Sequence, residues 1–241
     1  MPADVTPLHL VAIAVLFAAW GLYSPLLSRF GRGTLNVQLD VVRRRWMAIA
    51  VTRQVRVPDA VLIGHIIHAV AFFGSATLIV MAGLIGAVVN LKAVHEAVTG
   101  LPFLAAMSIE LFALKLGTVA LVLMVAFFSY TYALRKLIYV LALLGGLPEG
   151  DAAPTTPGLG ALVDNTATVL TEAVRSFNTG IRGYYFAIAA LFLFAGPVAS
   201  MLATAAVMAL LVWRQTRTRT AHAIGAYVDA LAESAEPPRN H

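Results

Sequence analysis

The stretch DAVLIGHIIHAVAFFGSATLIVMAGLIGAVVNL, residues 59–91, decides the fold. It runs for more than thirty residues with one acid at its start and no lysine or arginine. A hydrocarbon core of ~30 Å needs only about 20 helical residues, so this helix must tilt or protrude. Three further apolar stretches, 7–27, 103–134 and 184–213, repeat the signal. The whole chain of 241 residues is 60% hydrophobic and 12% charged, with a mean hydropathy of +0.83. These values predict an all-α polytopic membrane helical bundle with about four transmembrane helices, forming a single membrane domain over 1–241. Four spans leave loops and tails rather than a second folded domain. The absence of cysteine excludes disulfides, thiolate nucleophiles, iron–sulfur ligation and Cys-based zinc sites. Residues 1–6 hold Asp4 and no Lys or Arg, so the first stretch reads as a retained span rather than a cleaved signal. Pro102 suits a helix start, and Pro197 predicts a kink inside the fourth span.

The net charge of +5 resolves by position. The first connecting segment holds seven basic residues, Arg43, Arg44 and Arg45 among them; the third holds Arg135, Lys136, Arg175 and Arg182. The second region has only Lys92 and Lys115. Positive charge marks the cytoplasmic side, which predicts a multi-pass protein of the bacterial cytoplasmic membrane with its N-terminus outside. An even number of spans then leaves Arg214, Arg217 and Arg219 of the 214–241 tail on the outside, against the rule; a re-entrant segment around 137–147 is the alternative. In such a chain the basic clusters read as contacts with anionic lipid, and no nucleic-acid partner is expected. Between the spans, Leu35, Leu39, Val42, Trp46 and Ile49 give 34–50 the stripe of an interfacial amphipathic helix, with Trp46 in the interface and the arginine run near headgroups. A second such helix is expected over 160–182 and a third over 220–233, while the Gly- and Pro-rich 145–160 reads as a loop.

Within the second span His65, His68, Phe72, Ser75, Ile79, Gly83, Gly86 and Asn90 share one helical sector. Lipid satisfies neither imidazole nor amide groups, and small residues allow close approach, so this sector is expected to face other helices. His65 and His68, at i and i+3, leave three readings open: hydrogen-bonded packing, a metal or haem ligand pair, or part of a proton or substrate path. A metal site needs more ligands than these two, and His9, His95, Glu96 and Glu110 are scattered. No cofactor is therefore predicted. In the third span Glu110 and Lys115 are the ionisable candidates, and Lys115, Thr118, Val122, Val125, Ser129 and Tyr132 form a second inward-facing pattern; Lys115 can alternatively snorkel to water. Gly196, Ser200 and Thr204, at four-residue spacing, predict helix packing in the fourth span. There is no phosphate loop, dinucleotide fingerprint, HExxH, GxSxG or spaced carboxylate pair, which argues against an enzyme.

Local sequence adds a resemblance. Arg43-Arg44-Arg45-Trp46-Met47, Arg53-Gln54-Val55-Arg56-Val57-Pro58-Asp59-Ala60 and Phe72-Phe73-Gly74-Ser75-Ala76-Thr77 resemble the signature of an integral-membrane family, domain-of-unknown-function family 599. So do Leu101-Pro102-Phe103, Lys115-Leu116, Ala126-Phe127-Phe128 and, most specifically, Phe177-Asn178-Thr179-Gly180-Ile181-Arg182-Gly183-Tyr184-Tyr185-Phe186. The resemblance implies a multi-span helical protein without an assigned activity. The chain departs from the family pattern at Ala113, where an acid is usual, and at Lys136-Leu137-Ile138-Tyr139, where an aromatic–Asn–Tyr run is usual; His65 and His68 are also peculiar to it. Arg182, Tyr184 and Tyr185 stand where a helix enters the membrane and, with the first-loop arginines, are expected to meet lipid phosphates or a small anion.

These observations favour a non-catalytic accessory, assembly or stabilising subunit that meets other membrane subunits or its own copies. A small oligomeric transporter or channel lined by His65, His68, Asn90 and Lys115 is one alternative. A haem or metal protein using His65 and His68 is the other.

Overall fold

The computed structural model describes residues 4–29, 34–99, 107–150 and 156–235. Arg32, Leu101-Pro102-Phe103, the heart of the predicted 145–160 loop and the chain beyond 235 lie outside the described residues. Among the described residues eight α-helices follow one another: α1 Pro7–Ser28, α2 Leu35–Ala50, α3 Val57–Val89, α4 Leu91–Thr99, α5 Ile109–Gly146, α6 Leu159–Leu191, α7 Pro197–Thr216 and α8 Arg219–Ala235. No strand occurs among the described residues. Four stretches of the described residues are long and apolar enough to cross a membrane: Pro7–Ser28, Val57–Val89, Ile109–Gly146 and Pro197–Ser234, the last made of α7 and α8.

Local chemistry sets several boundaries. Pro58 stands in the first turn of α3, where the missing N–H costs nothing, and Asp59 complements the helix dipole there. Ser108 caps α5, its hydroxyl accepting from the Leu111 N–H at 3.2 Å. The largest departure from expectation lies in 184–213. Instead of one kinked span, α6 ends at Leu191, a 3-10 turn covers Phe192–Phe194, and Gly196 adopts φ +137° before Pro197 opens α7. Only glycine takes that backbone angle without strain, and proline at the first helical position cannot continue a preceding helix. The chain therefore reverses. Ser200 Oγ donates to the Ala189 carbonyl at 3.0 Å, and the Asn36 N–H, beside α6, donates to Gln215 Oε1 at 3.3 Å, so α7 runs back along α6.

The reversal reorders the ends of the molecule. Helix α6 threads the bundle from one end to the other, and α8 then lies along α2, with Gln38 3.0 Å from the Cβ that Gly225 lacks. Every described arginine, together with Lys136, gathers towards one end, and Lys92 and Lys115 stand at the other. The tail basic residues thus join the first-loop arginines, where the sequence places them with the N-terminus. The segment 137–147, the re-entrant alternative, instead continues α5 without interruption to Gly146, with Leu137, Val140 and Leu144 buried against the first half of α6.

At ~1.5 Å per residue α5 is about 57 Å long, well beyond a hydrocarbon core. Its surplus and the first half of α6 form a stalk with α2, around Met47, Ala50, Leu137, Leu144, Ala167 and Leu170. Where such a stalk stands in water, burial stabilises by ~1.5–3 kcal/mol for each large apolar side chain. The apolar bundle proper, around Leu16, Val122, Phe186 and Ala190, depends on close packing instead, since lipid tails are as apolar as the side chains. A latch joins the two parts. Arg56 donates to the carbonyls of Leu144 at 2.9 Å, Leu147 at 2.8 Å and Pro148, capping α5. Asp59 is fully buried and accepts from Trp46 Nε1 at 2.7 Å and from Arg53.

Candidate functional site

The segment 177–186 of α6 divides its residues between two faces. One face packs on α5 and α3. Gly180 lies directly against the Tyr130 ring, where a Cβ would clash with ring carbons, and a Cβ on Gly183 would sit 2.6 Å from that of Ala126. The Tyr184 hydroxyl donates to the Phe73 carbonyl at 2.9 Å and lies 2.6 Å from Thr77 Oγ1, among the rings of Phe73 and Tyr130. The other face carries Asn178, Arg182 and Tyr185 at i, i+4 and i+7. It opens on two adjoining cavities.

The first cavity, about 120 Å³, lies between α2 and α6 and is bounded by Asn36, Asp40, Arg43, Arg175, Asn178 and Arg182. The second, about 230 Å³, shares Asn36, Asn178 and Arg182 and adds Tyr23 of α1 with Tyr185, Arg214 and Gln215. Asp40 uses both oxygens within the protein, accepting from Thr171 Oγ1 at 2.6 Å and from Arg44 Nε at 3.3 Å. Burial pushes the Asp40 carboxyl up, but those bonds and the charges of Arg44 and Arg43 outweigh it and hold the group below its ordinary value. Arg175 pairs with Glu172. Arg43 donates from Nε to Thr171 Oγ1 at 2.9 Å. Arg182 donates to Thr179 Oγ1 at 2.8 Å and stacks over the Tyr23 ring at 4.9 Å. Arg214 donates to the Tyr185 hydroxyl. Among the described residues no carboxylate pairs with Arg43, Arg182 or Arg214.

The other candidates scatter. His65, His68, Ser75, Gly83, Gly86 and Asn90 are all exposed, so the sector expected to face inward looks away from the bundle. Packing on α5 selects the opposite side of α3 instead, with Ile63, Val70 and Thr77 buried and Gly74 close to Tyr130. Among the described residues nothing lies within 4 Å of a Cβ placed on Gly83 or Gly86, and Asn90 Nδ2 donates to the Gly86 carbonyl at 3.0 Å. Among the described residues no three His, Asp or Glu gather as metal ligands. Glu110 is exposed, whereas Lys115 is buried at the far end, its Nζ 3.7 Å from Met107 Sδ. Thr118 and Val122 continue inward from Lys115, but Val125 and Tyr132 point out as α5 turns its Ala126–Tyr130 side to α6. Trp46 and Tyr184 serve the protein interior, and Arg45 borders a groove between α2 and α8. Ser200 and Thr204 are buried in the hairpin, with Gly196 in its turn. Asn36, Asp40, Thr171 and Tyr23 escaped sequence reasoning. Only the Asp40–Arg44 spacing of four carried a local signal.

Fold and site together define an all-helical bundle with four membrane-length apolar stretches and an arginine-rich pocket at one end. The chain belongs to the family described as "Protein of unknown function, DUF599", which matches residues 11–220 and so includes every wall of the pocket. No curated protein and no solved structure matches it.

Proposed function

We propose that this protein is a non-catalytic accessory, assembly or stabilising subunit of a larger complex in the bacterial cytoplasmic membrane, with its N-terminus outside and its arginine-rich end in the cytoplasm. The outward sector of α3 carries this reading: His65, His68 and Ser75 project from a helix of membrane length and, among the described residues, no helix covers them. Polar side chains in hydrocarbon are costly, and a helix of another chain would satisfy them and nest on Gly83 and Gly86. The orientation rests on the crowding of arginine at one end. A transport path has less support, because His65, His68 and Asn90 lie outside the bundle and Lys115 is buried within it. A metal or haem at His65 and His68 would need ligands from a second chain.

Photo-crosslinkers placed singly at Ser75 and Gly83, and at the exposed Leu202 of α7 for comparison, test the reading in native membranes. The expected result is a discrete adduct with a different membrane protein from α3 and none from α7. Adducts with lipid alone from both helices would contradict it, and adducts only with a second copy would replace the accessory role by self-assembly.

A further inference from the structure

The pocket at the basic end has the chemistry of an oxyanion site. Arg182 borders both adjoining cavities, Arg43 the first and Arg214 the second, and each is anchored by a neutral hydroxyl rather than a carboxylate. A guanidinium has five N–H donors, so each arginine retains donors beyond its anchor. The one acid in the wall, Asp40, is already engaged by Thr171 and Arg44, which leaves positive charge in excess. Arg182 is also held rigid by the Tyr23 ring beneath it. Burial works against the charges of Arg43 and Arg182, the Asp40 charge counters it only in part at Arg43, and an oxyanion would offset the remaining cost.

We propose that this pocket binds a phosphate group, held by Arg43, Arg182 and Arg214, with the Asn36 and Asn178 amides contacting hydroxyl or ester oxygens around it. Planar guanidinium forks match phosphate oxygens in pairs, and several arginines on one ligand suit an anion with several charged oxygens better than a single carboxylate. The phosphate comes either from the headgroup of an anionic phospholipid entering from the bilayer, as basic pockets beside membrane helices allow, or from a soluble phosphate compound. Asp40 sets the orientation of the ligand by repelling its anionic oxygens from its own carboxylate, towards the Arg43 and Arg182 guanidinium groups.

The test uses the full chain in a neutral detergent. Native mass spectrometry with phosphatidylglycerol and with phosphatidylcholine measures headgroup retention, and a titration with inorganic phosphate measures the soluble source. Preferential retention of phosphatidylglycerol identifies the lipid headgroup; phosphate binding without lipid preference identifies the soluble source, and both support the site. In either arm Arg182→Gln and Arg43→Gln are expected to weaken binding about tenfold or more. Arg217→Gln, exposed and outside both cavities, is expected to change it by less than about twofold. Asn178→Ala keeps all charges and is expected to fall between them, so the site remains testable if an arginine variant does not fold. Absence of both phosphatidylglycerol preference and phosphate binding would overturn the proposal. Equal losses in Arg217→Gln and Arg182→Gln would do so too, since they would mean diffuse attraction to a basic surface.

Discussion

Helices α3 and α6 are each 33 residues long, and each carries small and polar residues along one stripe. In α6 the stripe is consumed within the chain: Gly180 admits Tyr130, Tyr184 reaches Phe73 and Thr77, and Arg182 lies on Tyr23. In α3 the matching residues, from His65 to Asn90, look outward over open space. Periodicity therefore groups small and polar residues on one helix face, but does not say whether the chain itself covers that face.

Four substitutions or conditions probe that difference. The largest effect is expected for Gly180→Leu, which drives a side chain into the Tyr130 ring and forces α5 and α6 apart. Destabilisation of about 3 kcal/mol, the upper end of overpacking costs, should appear in thermal melting of the detergent-solubilised chain. Asp59→Asn follows, because it removes the charge that holds Arg53 and Trp46 at the start of α3. A loss of about 2 kcal/mol is expected, less than for a fully buried pair because Arg53 is partly exposed, with a change in Trp46 fluorescence as a local readout.

A smaller effect concerns Asp40, which docks α2 on α6. Its carboxyl is held below the ordinary value, so its contribution is present above the usual carboxylate range and is lost as pH falls through the depressed value. Melting followed through that acidic window should fall more steeply in the native chain than in Asp40→Asn. The difference is expected to be on the order of 1 kcal/mol or less, because Asp40 and Arg44 are both partly exposed. Gly83→Leu should leave the melting of the isolated chain within about 0.5 kcal/mol of native, since its side chain enters open space. The same change should abolish retention of a partner on α3; retained partner would show that this face is not the contact.

The apolar stretches at 7–27 and 59–91 are legible because each is an uninterrupted apolar run of membrane length, and the helix at 34–50 because its apolar residues recur at three and four. The fourth stretch misled because hydropathy does not register reversal. Ala187 to Val212 is apolar throughout apart from small hydroxyl residues, and only the Gly196-Pro197 pair marks the turn. The same dipeptide fits a kink and a hairpin; contacts such as Ser200 with Ala189 decide between them. In the site, Arg182 and Asn178 stood out through their motif and interfacial position. Tyr23, Asn36 and Arg214 reach it from three other segments of the chain, and no local pattern foretells such a meeting.

The reversal at 192–196 brings α8 to the same basic end as α2 and the α5–α6 stalk. Because the chain has no cysteine, single cysteines at Ala97 in α4 and Ala230 in α8 can be labelled with a membrane-impermeant maleimide in cells whose outer membrane has been opened. Labelling of Ala97→Cys, with Ala230→Cys protected until the cytoplasmic membrane is broken, is the predicted result. Labelling of both positions from the same side of the intact membrane would contradict it.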